Sequence, residues 1–214
     1  YGIVTALGWL AFPILYRLLP GLPDRGFSLS RIFGLLAWGY LYWILGRLGI
    51  TANNISGLIF TLLLVSVVSV LIMGGKIKRD LQSWIKEHLC LILVVEILFL
   101  VTFSLWALIR AYNPEILGTE KPMELAFINA ILGSETFPPH DPWMSGYAIS
   151  YYYLGYILVA MLAKLAGTIG GVAFNLGVSL IFALSATGAF GLLFNLLVLS
   201  RNKWKSQLVP ALLG

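Results

Sequence analysis

The chain has 214 residues, 59% of them hydrophobic and only 11% charged, with a mean hydropathy of +0.91 and a net charge of +5. Soluble domains carry about 25% charged residues, so a water-soluble globule is excluded, and a disordered chain with it. One cysteine, Cys90, and two histidines, His88 and His140, are too few for a disulfide framework or for a cysteine- or histidine-based metal cluster.

A helix crosses a hydrocarbon core of ~30 Å with ~20 apolar residues. Apolar runs over about 1–19, 29–48, 54–73, 89–110, 148–166 and 172–199 meet or approach that length, and another begins near 208. The runs are too long and too evenly apolar for barrel strands, which alternate over about ten residues. The expected fold is therefore all-α: a polytopic transmembrane bundle of about six helices plus the start of a seventh. Pro20, Gly21 and Pro23 stop the first helix, Asn53 and Asn54 part the second from the third, and Gly74 and Gly75 end the third. Gly167, Gly170 and Gly171 separate the fifth from the sixth. The organisation reads as a four-helix bundle over 1–110, an external acidic loop over 111–147, and further transmembrane helices over 148–214. The chain opens at Tyr1 inside an apolar run and stops at Gly214 as another begins. It reads as a piece of a longer membrane protein, whose remainder beyond residue 214 is an expected partner.

Charge follows this plan. Residues 111–147 hold Glu115, Glu120, Glu124, Glu135 and Asp141 against Lys121 alone, a net charge of −4, and the rest of the chain is +9. The bases cluster at helix ends, as the positive-inside rule requires, so nucleic acid is not an expected partner and membrane lipid is. Lys76, Lys78, Arg79 and Lys86 mark the 74–88 link as cytoplasmic, and Arg17, Arg25 and Arg31 mark the 17–31 link likewise. The acidic loop then lies outside the cell membrane. Arg201, Lys203 and Lys205 would fall outside too if 172–199 is the sixth crossing. The 76–86 stretch, with Ile77, Leu81, Trp84 and Ile85, reads as an amphipathic surface link touching anionic lipid.

Two charges fall inside predicted helices. A charge at the centre of a span costs roughly 2.5–3.5 kcal/mol on insertion scales, so Glu96 is expected to bond to a neighbouring helix, with a relay role as the functional alternative. Lys164 is expected to snorkel toward the cytoplasmic surface. Arg110, where the fourth helix meets the loop, is placed to bind a lipid phosphate or to pair with a loop acid.

The 37-residue loop is far longer than the usual 4–6-residue connection. Thr119 is a candidate cap for a short surface helix, with Pro122 in its first turn, Met123, Phe127, Ala130 and Ile131 on one face, and Gly133 at its end. The stretch 137–143 should run extended, since its prolines restrict the backbone. Carboxylates held at a membrane surface can act as a general base, hold a cation or simply solvate a loop. Glu120 and Asp141, each boxed by proline or glycine, are the candidates for catalysis or for a divalent metal ion. Five tyrosines follow within ten residues: Tyr147, Tyr151, Tyr152, Tyr153 and Tyr156. On a helix these form either an interfacial aromatic belt or a polar-tipped wall suited to a sugar ring.

Three segments together, 118–124 (Gly-Thr-Glu-Lys-Pro-Met-Glu), 138–143 (Pro-Pro-His-Asp-Pro-Trp) and Gly146-Tyr147 leading into Tyr151-Tyr152-Tyr153, resemble the YYY-domain multipass membrane proteins of bacteria and archaea. That family is similar to the GT-C glycosyltransferases, which use polyprenyl-phosphate sugars. The resemblance implies a GT-C-like fold and sugar transfer at the external face of the cell membrane. It also implies Glu120 or Asp141 as base or metal ligand. Arg110, Lys121, Glu124, His140, Tyr151, Tyr152 and Tyr153 are then expected to bind substrate. A transporter or flippase for a lipid-linked or anionic solute, with Glu96 in its path, is the alternative from a different class.

Overall fold

The computed structural model describes residues 1–201 and 205–213 of the chain, without the side chains of Lys76 and Arg201. Lys203, counted above in the basic stretch after the last long run, lies outside the described residues. Among the described residues the fold is helical, with no strand; a lone antiparallel bridge pairs His140 with Ala148. The α-helices are α1 (Gly2–Leu18), α2 (Ser30–Arg47), α3 (Ile55–Ile72), α4 (Gly75–Glu87), α5 (Leu89–Tyr112), α6 (Lys121–Gly133), α7 (Leu154–Ala166), α8 (Gly170–Arg201) and α9 (Leu208–Leu213). Three of them, α3, α5 and α8 up to Ser200, are long and apolar enough to cross a membrane, whereas α1 and α7 are shorter apolar helices.

The chain divides into two compact units. The first comprises Tyr1–Leu35, Val65–Trp106 and Ser179–Gly214. Its core gathers Phe12, Phe27, Trp84, Leu91, Val95, Phe190 and Phe194. Phe12, Phe27 and Trp84 meet with ring centroids 5.0–6.3 Å apart, edge-on or tilted, the geometry that aromatic quadrupoles favour. Buried charges are paired here. Asp24, fully buried, accepts from the backbone of Gly26 and Ser28, from the Ser28 hydroxyl and from Asn195 Nδ2 on α8. Arg31, 2% exposed, is ion-paired with Glu96 of α5, and its guanidinium lies 4.5 Å from the centroid of the Phe99 ring. Glu96 thus bonds to a neighbouring helix as expected. Arg31 does not mark a cytoplasmic link; it sits in the first turn of α2, inside the core, because the carboxylate on α5 offsets its charge.

The second unit comprises Leu36–Leu64 and Ala107–Val178. Its hub is Asn53, 3% exposed, in the link between α2 and α3. Asn53 Oδ1 accepts from the Tyr42 hydroxyl at 2.8 Å, and Nδ2 donates to the carbonyls of Ile131 and Ser134 at 2.7 Å each. Its backbone N–H donates to the Glu135 carbonyl. These bonds satisfy backbone carbonyls at the end of α6 that the helix itself cannot. Asn53 also receives Lys164 Nζ on its backbone carbonyl.

The helix expected over 148–166 is shorter in the structure. The helix begins only at Leu154, and its 13 residues reach about 20 Å, short of a bilayer core. Its first end lies by α2, where Trp43 Nε1 donates to the Tyr153 hydroxyl at 3.2 Å, and its last turn returns to the α2–α3 link through Lys164. Lys164 is thus bonded to the protein backbone. The following helix starts where α5 ends: Arg110 Nε donates to Asn175 Oδ1 at 2.8 Å. The start of α8 is thus tied to the end of α5.

Candidate functional site

The loop from 113 to 153 is built on α6. Gly118 and Thr119 both have positive φ, 81° and 51°, which turns the chain sharply into the helix. Glycine adopts this region freely and threonine does not. Glu120, not Thr119, is the N-cap residue, and it makes no side-chain capping bond. The predicted end at Gly133 is the observed one. Phe127, Ile128 and Ile131 are buried, and α6 packs on α7.

Phe127 is the centre of an aromatic cluster. Trp143, Tyr151 and Tyr156 each bring a ring centroid to 5.5 Å from it. Tyr151 and Tyr152 stack at 3.9 Å, and the Tyr151 hydroxyl donates to that of Tyr152 at 2.6 Å. One turn before Phe127 on α6 stands the carboxylate of Glu124, and one turn before that, at the N-cap, the carboxylate of Glu120. The charges of Glu124 and Glu120 both act on the Tyr156 phenol, Glu124 the more strongly, and Glu120 acts on Tyr151 as well. The phenol of Tyr151 is pushed up to about 12, chiefly because Tyr152 engages its proton, with the Glu120 charge acting in the same direction. The arrangement is thus a pair of carboxylates at i, i+4 spacing beside a wall of phenols. The positive end of the helix dipole favours both charges by roughly 0.3–1 kcal/mol each.

The tyrosine triplet is not helical, as the belt and wall readings both assumed. Tyr151 and Tyr152 precede α7 and Tyr153 caps it. Freed from helical spacing, Tyr151 and Tyr152 stand together at the carboxylates, while Tyr153 turns to Trp43. Tyr152 is 73% exposed and presents an open ring face.

The other sequence candidates have local duties. Asp141 Oδ1 accepts from the backbone N–H of Trp143 and Met144, at 2.8 and 2.9 Å, and so builds a turn. His140 is exposed, and its backbone N–H donates to Ser134 Oγ. Arg110 bonds to the backbone carbonyl of Glu115, not its carboxylate, besides Asn175. It pins the start of the loop to α8, and Asn175 Nδ2 adds a bond to the Pro114 carbonyl. Lys121 is half-buried at the start of α6. Among the described residues no group of three or more His, Cys, Asp or Glu side chains is placed to hold a metal ion.

Sequence reasoning missed Asn53 and Trp143 as parts of this assembly, whereas Tyr156 was already among the tyrosines of the expected wall. Asn53 carried only a helix-breaking signal. Trp143 was visible only as the end of a proline-rich stretch.

Neither a curated protein nor a solved structure matches the chain. A family model matches residues 37–214, the greater part of the sequence, including the whole acidic loop and the tyrosines. Three long apolar helices, a helical fold and this match agree, and the chain belongs to the DUF2298 family of uncharacterised membrane proteins.

Proposed function

We propose that the chain belongs to a GT-C-like glycosyltransferase of the cell membrane, acting at the external face on a polyprenyl-phosphate-linked sugar. The observation that supports it is the convergence of Glu120 and Glu124 with Tyr151, Tyr152 and Tyr156 around Phe127. Sugar rings stack their apolar faces on aromatics and bond through their hydroxyls to phenols and carboxylates. In this reading one carboxylate takes the proton of the acceptor hydroxyl, whose oxygen bonds to the anomeric carbon. The bond from that carbon to the phosphate breaks, and polyprenyl phosphate leaves with the electron pair. Glu124 is the better base, because it stands in the first turn of the helix and its charge acts on Tyr156 more strongly than that of Glu120. Lys121 is the nearest base in sequence to meet the phosphate. Asp141 shapes the loop and is not asked to take part in the chemistry. The alternative, a transporter using Glu96, loses support from the pairing of Glu96 with Arg31.

The test is transfer of labelled sugar from polyprenyl-phosphate donors by the full-length protein in membranes. Glu124→Gln should abolish transfer at unchanged protein yield, since a partly exposed carboxylate contributes little to stability. Full transfer by both Glu120→Gln and Glu124→Gln would refute the reading.

A further inference from the structure

The site on α6 leaves the opposite charge feature of the chain, helix α4, without a role. α4 joins α3 to α5, two of the apolar spans, through links of only two residues and one residue. It must therefore lie along a bilayer surface. The sequence suggests that its apolar side dips into lipid; the structure covers that side with protein. Leu81 and Trp84 are each 7% exposed within the core of the first unit, and the rings of Phe12, Tyr16 and His88 meet Trp84.

What remains outside is polar. Lys78, Arg79 and Lys86 on α4 are exposed, and so is Arg17 at the end of α1. Arg25 lies over the Tyr16 ring, 5.1 Å from its centroid. Among the described residues no carboxylate lies within ion-pair distance of Lys78, Arg79, Lys86 or Arg17. The same helix carries two acids, Asp80 and Glu87, so that α4 keeps a net positive charge.

We infer that the face formed by Arg17, Lys78, Arg79 and Lys86 binds the phosphodiester headgroups of anionic phospholipid. The helix is fixed at headgroup depth by the two spans it joins, so its bases cannot leave that plane. None of the four is held in an ion pair among the described residues. A base near an anionic leaflet favours it by roughly fivefold, and the effect is screened by salt. Because Trp84 holds α4 from the protein side, binding depends on charge and not on insertion of the helix.

The experiment reconstitutes the full-length protein in nanodiscs of phosphatidylcholine containing spin-labelled phosphatidylglycerol or spin-labelled phosphatidylcholine. The protein-bound fraction of each label is measured. Enrichment of phosphatidylglycerol by at least about fivefold is expected at low salt, unaffected by inorganic phosphate. The Lys78→Gln, Arg79→Gln, Lys86→Gln triple variant should bring the two labels close to equality, with an unchanged melting temperature in neutral detergent. Equal binding of both labels by the wild-type protein would overturn the inference. So would enrichment that survives in the triple variant, or a label displaced by phosphate.

Discussion

The two compact units solve the problem of polar groups in an apolar chain in different ways. The first holds ten of the fourteen bases and four of the nine acids, and it draws Asp24, Arg31 and Glu96 into buried or partly buried bonds between helices. The second holds four bases and five acids. Its buried hub is neutral, built from Asn53, Tyr42 and backbone carbonyls, and its acids stay at or near the surface. A buried ion pair has its charge consumed by the fold, whereas a half-exposed carboxylate beside phenols keeps its charge for a ligand. The difference separates architecture from chemistry within one chain, and it can be broken in order of effect.

The largest effect is all-or-none. In a Cys90→Ala background, single cysteines at Thr136 and Ile169 should react alike with an impermeant thiol reagent on intact cells, and a cysteine at Ser83 should behave oppositely. All three positions are exposed. Ile169 follows α7, so its labelling decides whether that helix crosses. If Ile169 behaves like Ser83, α7 spans the membrane and the order of helices given above is wrong.

Next comes the buried pair. Arg31→Met leaves the Glu96 charge without its partner and should cost about 3–5 kcal/mol, read as lost folded protein or a lowered melting temperature. Arg31→Met with Glu96→Leu should recover most of that loss, because two apolar side chains need no pairing. A double variant as unstable as the single one would mean that the pair does more than satisfy itself.

Asn53→Ala tests the neutral hub. It leaves the Ile131 and Ser134 carbonyls without their donor, at a cost of roughly 1–3 kcal/mol for each group left unsatisfied. The melting temperature should fall, and α6 should become more open to hydrogen exchange than α3.

The smallest effect is a titration. The proton of Tyr151 is engaged by Tyr152, so its neutral form is favoured in the fold. Any stability this gives is present below pH 10, the ordinary value, and is lost as pH rises through about 12. Tyr152→Phe removes the acceptor and should bring the ionisation of Tyr151 back toward 10, visible as phenolate absorbance at lower pH. An unchanged titration would show that the two hydroxyls do not meet in solution.

Much of this was legible in the sequence, for physical reasons that differ by region. Apolar length alone located α1, α2, α3, α5 and α8, since hydrocarbon thickness sets how long such runs must be. Gly133 and the proline at 122 bounded α6 closely. Tyr147–Tyr153 misled, because an apolar run reads as helix while the backbone here is irregular up to the cap at Tyr153. Arg31 misled because a base near a helix end looks like a cytoplasmic marker unless its partner, 65 residues away, is known. Of the site, Glu120, Glu124, Tyr151 and Tyr152 were named from the sequence. That Glu124 and Tyr156 belong together, and that Asp141 serves a turn, depended on contacts that spacing does not encode.

The contrast between the units is tested most directly by sugar transfer, scored per folded molecule, for two variants of the full-length protein side by side. Glu124→Gln, which leaves the fold intact, should lose transfer. Arg31→Met with Glu96→Leu, which rewrites the buried charges, should keep it. An active Glu124→Gln protein beside a folded but inactive double variant would contradict the account and move the chemistry to the buried pair.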